Sequence, residues 1–283
     1  MVRNAVKLGY PLYFSVKSVI DACDEFIISE GFSEDTTMEV VKQLSEEYPT
    51  KIRVIHKAWK PSMAGETIAE VTNDAMEKCI YDWIYYVQAD EIVHEDNLRF
   101  IASVPRRLHL YRAISFSFIH FRLSLRYQLR GGYRTSIRMV RNLTKPWRRK
   151  LRKDWYETRA GRFFRRRYYL DPLLSLLDVH NSEDGWTFSG SILPKFRADF
   201  LKPIFHVGYV NRDIGLIAQR LESHARFLYP MLPSYEKIAR AIRAGDAVNS
   251  WRSQGMSIVP YEGADYPKLL QEWVVRQGID YNR

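Results

Sequence analysis

The 283-residue sequence has little cysteine and no long apolar run. Cys23 and Cys79 are its only cysteines, which excludes a disulfide framework and does not indicate a cysteine metal site. No apolar stretch reaches the roughly 18 residues of a membrane span, and the N-terminus lacks the regions of a secretion signal. We therefore expect a cytoplasmic protein of a reducing compartment, at most peripheral to a membrane surface.

Negative and positive charges are segregated along the chain. Residues 1–100 hold 10 Lys and Arg against 18 Asp and Glu, residues 101–170 hold 20 against 2, and residues 171–283 hold 13 of each. The net charge of +10 therefore comes from the block of residues 101–170. Such a block predicts an anionic partner better than the overall charge does.

Hydrophobic periodicity predicts an α/β fold. The first hundred residues read as strands over 25–30, 51–59 and 83–88 alternating with helices over 11–22, 36–48 and 66–79. This order is typical of a mostly parallel sheet with helices on its faces. Further strands are predicted over 112–125 and 133–142, and helices over 212–228, 234–244 and 265–277. We expect a mixed sheet flanked by helices, with antiparallel strands and C-terminal helices added, in one continuous globular unit with halves 1–100 and 101–283.

Acidic residues follow the strand predicted over 83–88. Asp90 and Glu91 lie just beyond its end, where ligands bind in open parallel sheets, and their oxygens suit Mg²⁺ or Mn²⁺. Such ions are usually completed by substrate phosphates. Glu95 and Asp96 are better explained as the favourable acidic first turn of a helix. For Asp90 and Glu91, a strand end without ligands stays open as the alternative.

Several motifs resemble the nucleotide-sugar half of family 2 glycosyltransferases, which are inverting enzymes of the GT-A (Rossmann-like) fold. They are "RNA" (3–5), "SVKSVIDACDEFIISEGFSEDTT" (15–37), "TNDAM" (72–76) and "DWIYYVQADE" (82–91). In that family an acidic pair separated by one residue binds the divalent cation and the donor diphosphate. This chain has Gln88-Ala89-Asp90, so only the second acid matches. The resemblance implies a Mn²⁺ or Mg²⁺ site at Asp90, and Glu91 remains a metal candidate through its carboxylate chemistry alone.

The resemblance also implies which residues contact the donor. "EGFSEDTT" looks like the family's loop for the base and ribose, with Glu30 and Asp35 in the acidic positions. Arg3 and Asn4 fall where the preceding loop meets the nucleotide, and Arg212 is a candidate for the diphosphate. Phe32 adds a residue to the usual spacing, so the donor stays open between a UDP- and a GDP-sugar. A helix-capping loop without a ligand is the alternative for Asp35.

A catalytic base and a late histidine are expected in the second half. An inverting transfer needs a group that takes the proton of the acceptor hydroxyl. The resemblance points to Asp184, with its neighbour Glu183, in "NSEDGW"; a surface turn is the alternative. Asp178 and His180 are reserve candidates. His206, in "PIFHVGYVNR", is a candidate for the metal or the diphosphate, and a buried core histidine is its alternative.

Basic and aromatic residues interleave in "KPWRRKLRKDWYETRAGRFFRRRYY" (145–169). This pattern suits a nucleic-acid strand or an anionic bilayer equally well. Within a glycosyltransferase it fits a glycan or lipid-linked acceptor and peripheral contact with an anionic membrane, and nucleic acid is then the weaker candidate. The Gln-x-x-Arg-Trp motif of processive synthases is absent, which favours transfer of a single sugar.

Two other functions compete with sugar transfer. A nucleotidyltransferase would need an early glycine-rich basic loop, and "RNAVKLGY" is not one. A nonenzymatic binder of nucleic acid or anionic membrane would use the basic block alone, and its affinity would fall steeply with salt. The acidic first hundred residues favour the enzyme.

Overall fold

The computed structural model describes residues 1–59, 66–111, 113–130, 135–142, 179–180, 187–188, 195–211, 213–227, 233–246 and 257–279. The helices in these ranges are α1 (Leu12–Lys17), α2 (Thr37–Glu47), α3 (Glu66–Lys78), α4 (Leu98–Arg107), α5 (Ile214–Phe227), α6 (Pro233–Arg243) and α7 (Lys268–Arg276). Short 3₁₀ turns cover Ile20–Ala22 and Glu95–Asn97. In these ranges, no helix is both long enough and apolar enough to cross a bilayer.

The strands confirm a mixed α/β fold. They are β1 (Phe26–Glu30), β2 (Ile52–His56), β3 (Trp83–Tyr85), β4 (Glu91–Ile92), β5 (Ala113–Arg130), β6 (Thr135–Arg141), β7 (Val179–His180), β8 (Thr187–Phe188), β9 (Lys195–Arg197), β10 (Ile204–Val210) and β11 (Ser257–Pro260). A seven-stranded sheet has the order β3-β6-β5-β10-β4, and β9 and β11 also pair with β5. β5 runs parallel to β9 and β10, and the other pairs of this sheet are antiparallel.

One detail of the predicted sheet is wrong. β1 and β2 pair in parallel as expected, but β3 does not continue that sheet. Instead β3 pairs antiparallel with β6, through Trp83 with Arg141 and Ile84 with Val140. A cavity of about 290 Å³ is lined by residues of both β1 and β3. Val2 forms a single parallel bridge to Glu30 at the edge of β1.

The core around β10 fixes the position of the candidate site. All seven residues of β10 are buried, and β5 and β4 pair with its two edges. Phe205 packs with Phe121 of β5 and with Trp273 of α7 in one apolar cluster. A second cluster joins α1 and α2 to β1 and β2, with Val41 and Leu44 fully buried. The same cluster contains Val2 and Ala5, so the chain segment before α1 packs against α1, α2 and β1.

Candidate functional site

Asp90 and His206 are brought together by the pairing of β4 with β10. In this pairing Glu91 lies opposite His206, and the Asp90 carbonyl accepts a hydrogen bond of 2.9 Å from the Val207 N–H. The Asp90 Oδ2 lies 3.3 Å from the His206 Nε2, and the two side chains are only 13% and 10% exposed. Asp90 therefore faces a partly enclosed site and not bulk water.

Gly208 leaves the space that the Asp90 carboxylate occupies. A Cβ added at Gly208 would collide with Asp90 Oδ2 and would come within 3.1 Å of the His206 Cε1 atom. Glycine is therefore required here by the lack of space. Its backbone conformation does not demand glycine, because φ at Gly208 lies outside the left-handed region. The pair of Asp90 and His206, with Gly208 beneath it, is called the Asp90–His206 pair below.

Arg220 of α5 ties the chain before α1 to this pair. Its side chain is fully buried, and its guanidinium donates hydrogen bonds to the carbonyls of Leu8 and, at 2.7 Å, of Gly9. The same group donates to the carbonyls of Gly208 at 2.7 Å and Val210 at 3.2 Å. One side chain thus connects the loop of residues 3–10, here called the first loop, to β10.

Arg3 and Asn4, two predicted donor contacts, join the first loop to residues 30–37, here called the acidic loop. The Arg3 guanidinium forms a 2.8 Å ion pair with the exposed Glu34. The Asn4 N–H donates to the Ser33 hydroxyl at 2.9 Å, and the Asn4 side-chain carbonyl accepts from the Glu34 N–H at 2.8 Å. Asn4 holds a positive φ of 52°, a conformation that asparagine tolerates better than most residues.

Glu30 stabilises the acidic loop through hydrogen bonds from its buried carboxylate. Its carboxylate is buried and accepts hydrogen bonds from the N–H groups of Phe32 at 2.9 Å and Ser33 at 2.7 Å. The His56 Nδ1 lies 3.2 Å from the same carboxylate. Burial raises the pKa of Glu30, but the hydrogen bonds from Ser33, Phe32 and His56 outweigh it and lower the pKa below its ordinary value. Glu30 is thus an ionised anchor of this loop.

Asp35 links the two loops and lies just before α2. Its carboxylate accepts hydrogen bonds from the Lys7 N–H at 2.6 Å and from the Thr37 N–H at 3.0 Å. Burial raises the pKa of Asp35, and the hydrogen bonds from Thr37 and Lys7 more than compensate, so its pKa is lowered. The structure therefore brings four of the predicted donor residues together in two joined loops, with Arg3, Asn4 and Asp35 partly exposed and Glu30 buried beneath them.

Glu91 has a structural partner. It is fully buried with Arg138 of β6, whose Nε lies 3.1 Å from both carboxylate oxygens. The Arg138 guanidinium also lies over the Phe118 ring, 4.7 Å from its centroid. The Glu91 carboxylate also accepts a hydrogen bond of 3.3 Å from the Gln88 N–H, so both its oxygens are engaged inside the protein. The predicted metal role of Glu91 is therefore not supported by its surroundings.

The predicted base lies outside the described residues. The candidate bases Glu183 and Asp184 and the reserve Asp178 are among the residues that are not described. The same is true of Arg212 and of the basic and aromatic segment 145–169. His180 belongs to β7, which pairs antiparallel with β8. These assignments stay predictions.

The Asp90–His206 pair is the candidate metal centre. Among the described residues, no three His, Cys, Asp or Glu side chains meet as a metal cluster. Two donors still fit an ion that takes its other ligands from phosphate and water. Adjacent ligands of an octahedral Mg²⁺ with bonds of about 2.1 Å are about 3.0 Å apart, and the observed separation is 3.3 Å. The pair therefore fits such an ion, and it equally fits a direct Asp–His contact.

Sequence reasoning missed Arg220 and His120. Arg220 lies beside the apolar stripe of α5 that contains the buried Ile217 and Leu221, and a charged residue at such a position is the available signal. Burial lowers the pKa of its guanidinium. His120 pairs in register with His206, and their ring centroids are 4.9 Å apart. The sequence gives no local sign of that contact.

Known proteins similar to this chain include glycosyltransferases. No protein-family model matches it. Glycosyltransferase SunS of Bacillus phage SPbeta and the SPbeta prophage-derived glycosyltransferase SunS of Bacillus subtilis (strain 168) are each 26% identical over 96 residues, which is 34% of this chain. The chain spans only 21% of the length of these relatives.

Two solved structures of S. aureus TarS 1–349 match most of the chain at low similarity. The first has a TM-score of 0.38 and 11% identity, and covers 91% of this chain and 96% of TarS. The second, in complex with UDP, has a TM-score of 0.38 and 10% identity, and covers 92% and 96%. What the sequence comparison supports is that about a third of the chain is similar to glycosyltransferases.

Proposed function

We propose that the chain is a glycosyltransferase that moves a single sugar from a nucleoside-diphosphate donor to an acceptor hydroxyl with inversion. The observation that carries the proposal is the Asp90–His206 pair, partly enclosed and 3.3 Å apart, joined through Arg220 to the first loop, which carries Arg3 and Asn4 and contacts Asp35. The similarity to glycosyltransferases over 96 residues supports it.

The two loops form the donor side of the proposed site. Arg3 and Asp35 are partly exposed at the junction of the first loop and the acidic loop, where they could meet the ribose and the base of UDP or GDP. Glu30 acts indirectly in this proposal, because its oxygens already accept N–H groups of its own loop. It holds Ser33 in place, and Ser33 in turn accepts from Asn4.

Mn²⁺ or Mg²⁺ would be held by Asp90 and His206, with phosphate oxygens and water completing the shell. When bound, such an ion supplies stabilisation of the negative charge that develops on the departing diphosphate. The buried Arg220 adds positive charge near Asp90 and holds the first loop against the pair.

The reaction requires one group to take a proton. The acceptor oxygen forms a bond to the anomeric carbon while the bond from that carbon to the diphosphate oxygen breaks, and the diphosphate leaves with the electron pair. The hydroxyl proton passes to a carboxylate, for which Asp184 remains our candidate, with Glu183 beside it. The acceptor would be a glycan or a lipid-linked molecule.

A donor panel with two variants tests the proposal. UDP-, GDP-, TDP- and CMP-sugars are assayed for slow hydrolysis and for thermal stabilisation of the chain, with and without Mn²⁺. Asp90→Asn should lower turnover by at least about 100-fold, equivalent to about 2.7 kcal/mol, and should remove the Mn²⁺ dependence.

The matched control is Asp21→Asn, which removes an exposed carboxylate at the 3₁₀ turn after α1 and should leave turnover unchanged. Equal turnover of Asp90→Asn and wild type would remove Asp90 from the mechanism. The absence of hydrolysis and of stabilisation with every donor would refute sugar transfer.

A further inference from the structure

An aromatic cluster lies at the surface between α4 and β9. The ring centroids of Phe100 and Phe200 are 5.3 Å apart in an edge-to-face arrangement, and those of Phe196 and Tyr111 are 5.2 Å apart. Phe196 also lies 6.2 Å from both Phe100 and Phe200. Leu110 immediately precedes Tyr111. These five residues are called the aromatic patch.

The outer members of the aromatic patch are unusually exposed for their size. Phe200 is 68% exposed and Leu110 is 76% exposed. The inner members Phe100 and Phe196 are half-buried and pack against the apolar cluster of β5 and α4. The exposed side chains therefore stand on a rigid base. Contiguous exposed apolar groups with a polar rim mark an interaction site more often than single ones do.

The rim of the aromatic patch is basic. On α4, Arg107 lies two turns beyond Phe100 on the same face, and Arg99 and Arg106 are also exposed. None of these three arginines forms an ion pair with another residue that the structure describes. On β9, Arg197 is already paired with Asp199 at 2.7 Å. The free positive charge is thus concentrated along α4.

We propose that the aromatic patch and the arginines of α4 dock the chain on an anionic lipid bilayer. Phenylalanine and leucine side chains carry no polar atom and fit the boundary between head groups and acyl chains. Arginines at the rim would meet lipid phosphates, to which guanidinium groups bind well. A nucleic-acid strand fits less well, because Phe200 is the one mostly exposed ring of the patch, whereas single strands stack successive bases on several rings.

This docking surface is independent of the proposed chemistry. None of its residues belongs to the Asp90–His206 pair, the first loop or the acidic loop. Loss of docking would therefore leave nucleotide binding intact, and a chain without transferase activity would still dock. The surface shares no residue with segment 145–169, so the contributions of the two to membrane binding are separable by substitution.

Co-sedimentation with lipid vesicles tests the docking proposal. The full chain is mixed with vesicles of phosphatidylcholine alone or of phosphatidylcholine with about 30% phosphatidylglycerol, in about 0.05 M and about 0.5 M NaCl. We expect binding to the anionic vesicles that weakens at high salt. The double variant Phe200→Ser/Leu110→Ser should lower the partition coefficient at least about tenfold. Arg106→Gln/Arg107→Gln should lower it about fivefold per charge.

Matched controls come from other exposed positions. Ile80→Ser/Val275→Ser removes apolar side chains of similar exposure, 62% and 73%, and Lys237→Gln/Arg240→Gln removes two exposed charges from α6. Both control pairs should bind like wild type. All four double variants should keep the wild-type melting temperature, because the replaced side chains are exposed.

The other outcomes overturn the proposal. Failure of wild type to bind anionic vesicles would do so directly. Wild-type binding by the Phe200→Ser/Leu110→Ser variant would also do so, because it would assign the affinity to charge elsewhere in the chain. An equal loss in the control pairs would show that binding is not localised at the aromatic patch.

Discussion

Replacing Gly208 by alanine tests the Asp90–His206 pair without touching either member. The added Cβ would overlap the Asp90 carboxylate and lie 3.1 Å from the His206 ring. β10 is bonded on both edges and all its residues are buried, so the strand cannot retreat. The carboxylate must therefore move, which changes the separation of the pair.

The expected magnitude follows from overpacking of a buried site, which costs about 1–3 kcal/mol. We expect Gly208→Ala to lower the free energy of unfolding by about 1–2 kcal/mol. Displacement of Asp90 should weaken Mn²⁺-dependent binding of UDP or GDP about tenfold, which corresponds to about 1.4 kcal/mol. Denaturant unfolding measures the first quantity, and isothermal titration calorimetry measures the second.

Gly215→Ala is the control for this experiment. Gly215 lies in the first turn of α5, where an added Cβ approaches only the exposed Asp213 side chain, at 3.0 Å. This variant should stay within about 0.5 kcal/mol of wild type and should bind nucleotide normally. Wild-type nucleotide affinity in Gly208→Ala would show that the position of Asp90 does not matter, and the proposed site would be wrong.

Three further predictions concern the supports of the site. Arg138→Met leaves the buried Glu91 carboxylate without its ion-pair partner, so the free energy of unfolding in urea should fall by about 3–5 kcal/mol. The double variant Arg138→Met/Glu91→Leu should recover most of this loss. Wild-type stability of Arg138→Met would contradict the prediction. Arg220→Met deprives four carbonyls of their donor, and we expect a loss of about 3 kcal/mol together with weaker nucleotide binding; normal binding would remove Arg220 from the site's supports. Because the pKa of Glu30 is lowered from 4.5, its contribution to stability is fully present above pH 4.5 and is lost as pH falls through the folded pKa. In Glu30→Gln, the free energy of unfolding should therefore fall less steeply as the pH is lowered below 4.5 than it does in wild type. An unchanged pH dependence would contradict the role of Glu30 as an ionised anchor.

Periodicity predicted the helices and strands well where a segment buries one stripe. In α2, Val41 and Leu44 are fully buried as the stripe requires, although Met38 of the same stripe is 38% exposed. The pairing of β3 with β6 was not predictable, because the partner is distant in sequence and both neighbouring strands have similar apolar patterns. Local patterns define elements, and pairing is decided by packing of the whole chain.

The candidate site shows the same difference between what local sequence patterns predict and what the fold decides. Asp90 and His206 were each singled out from their own neighbourhoods, but their contact depends on the antiparallel pairing of β4 with β10. The roles of Glu91 and Arg220 depend on partners in distant segments, Arg138 for one and the first loop for the other. A residue type can suggest a ligand, but only the fold shows whether that residue is already engaged.

The backbone bond between Asp90 and Val207 has a consequence for affinity. The Asp90 carbonyl is hydrogen-bonded to the strand that carries His206, so the two backbones hold a fixed position relative to each other. The Asp90 and His206 side chains are therefore close together before any ligand binds. The conformational freedom they would otherwise lose on binding is already lost when the protein folds. A site preorganised in this way should bind with a smaller entropic penalty than one assembled from mobile loops.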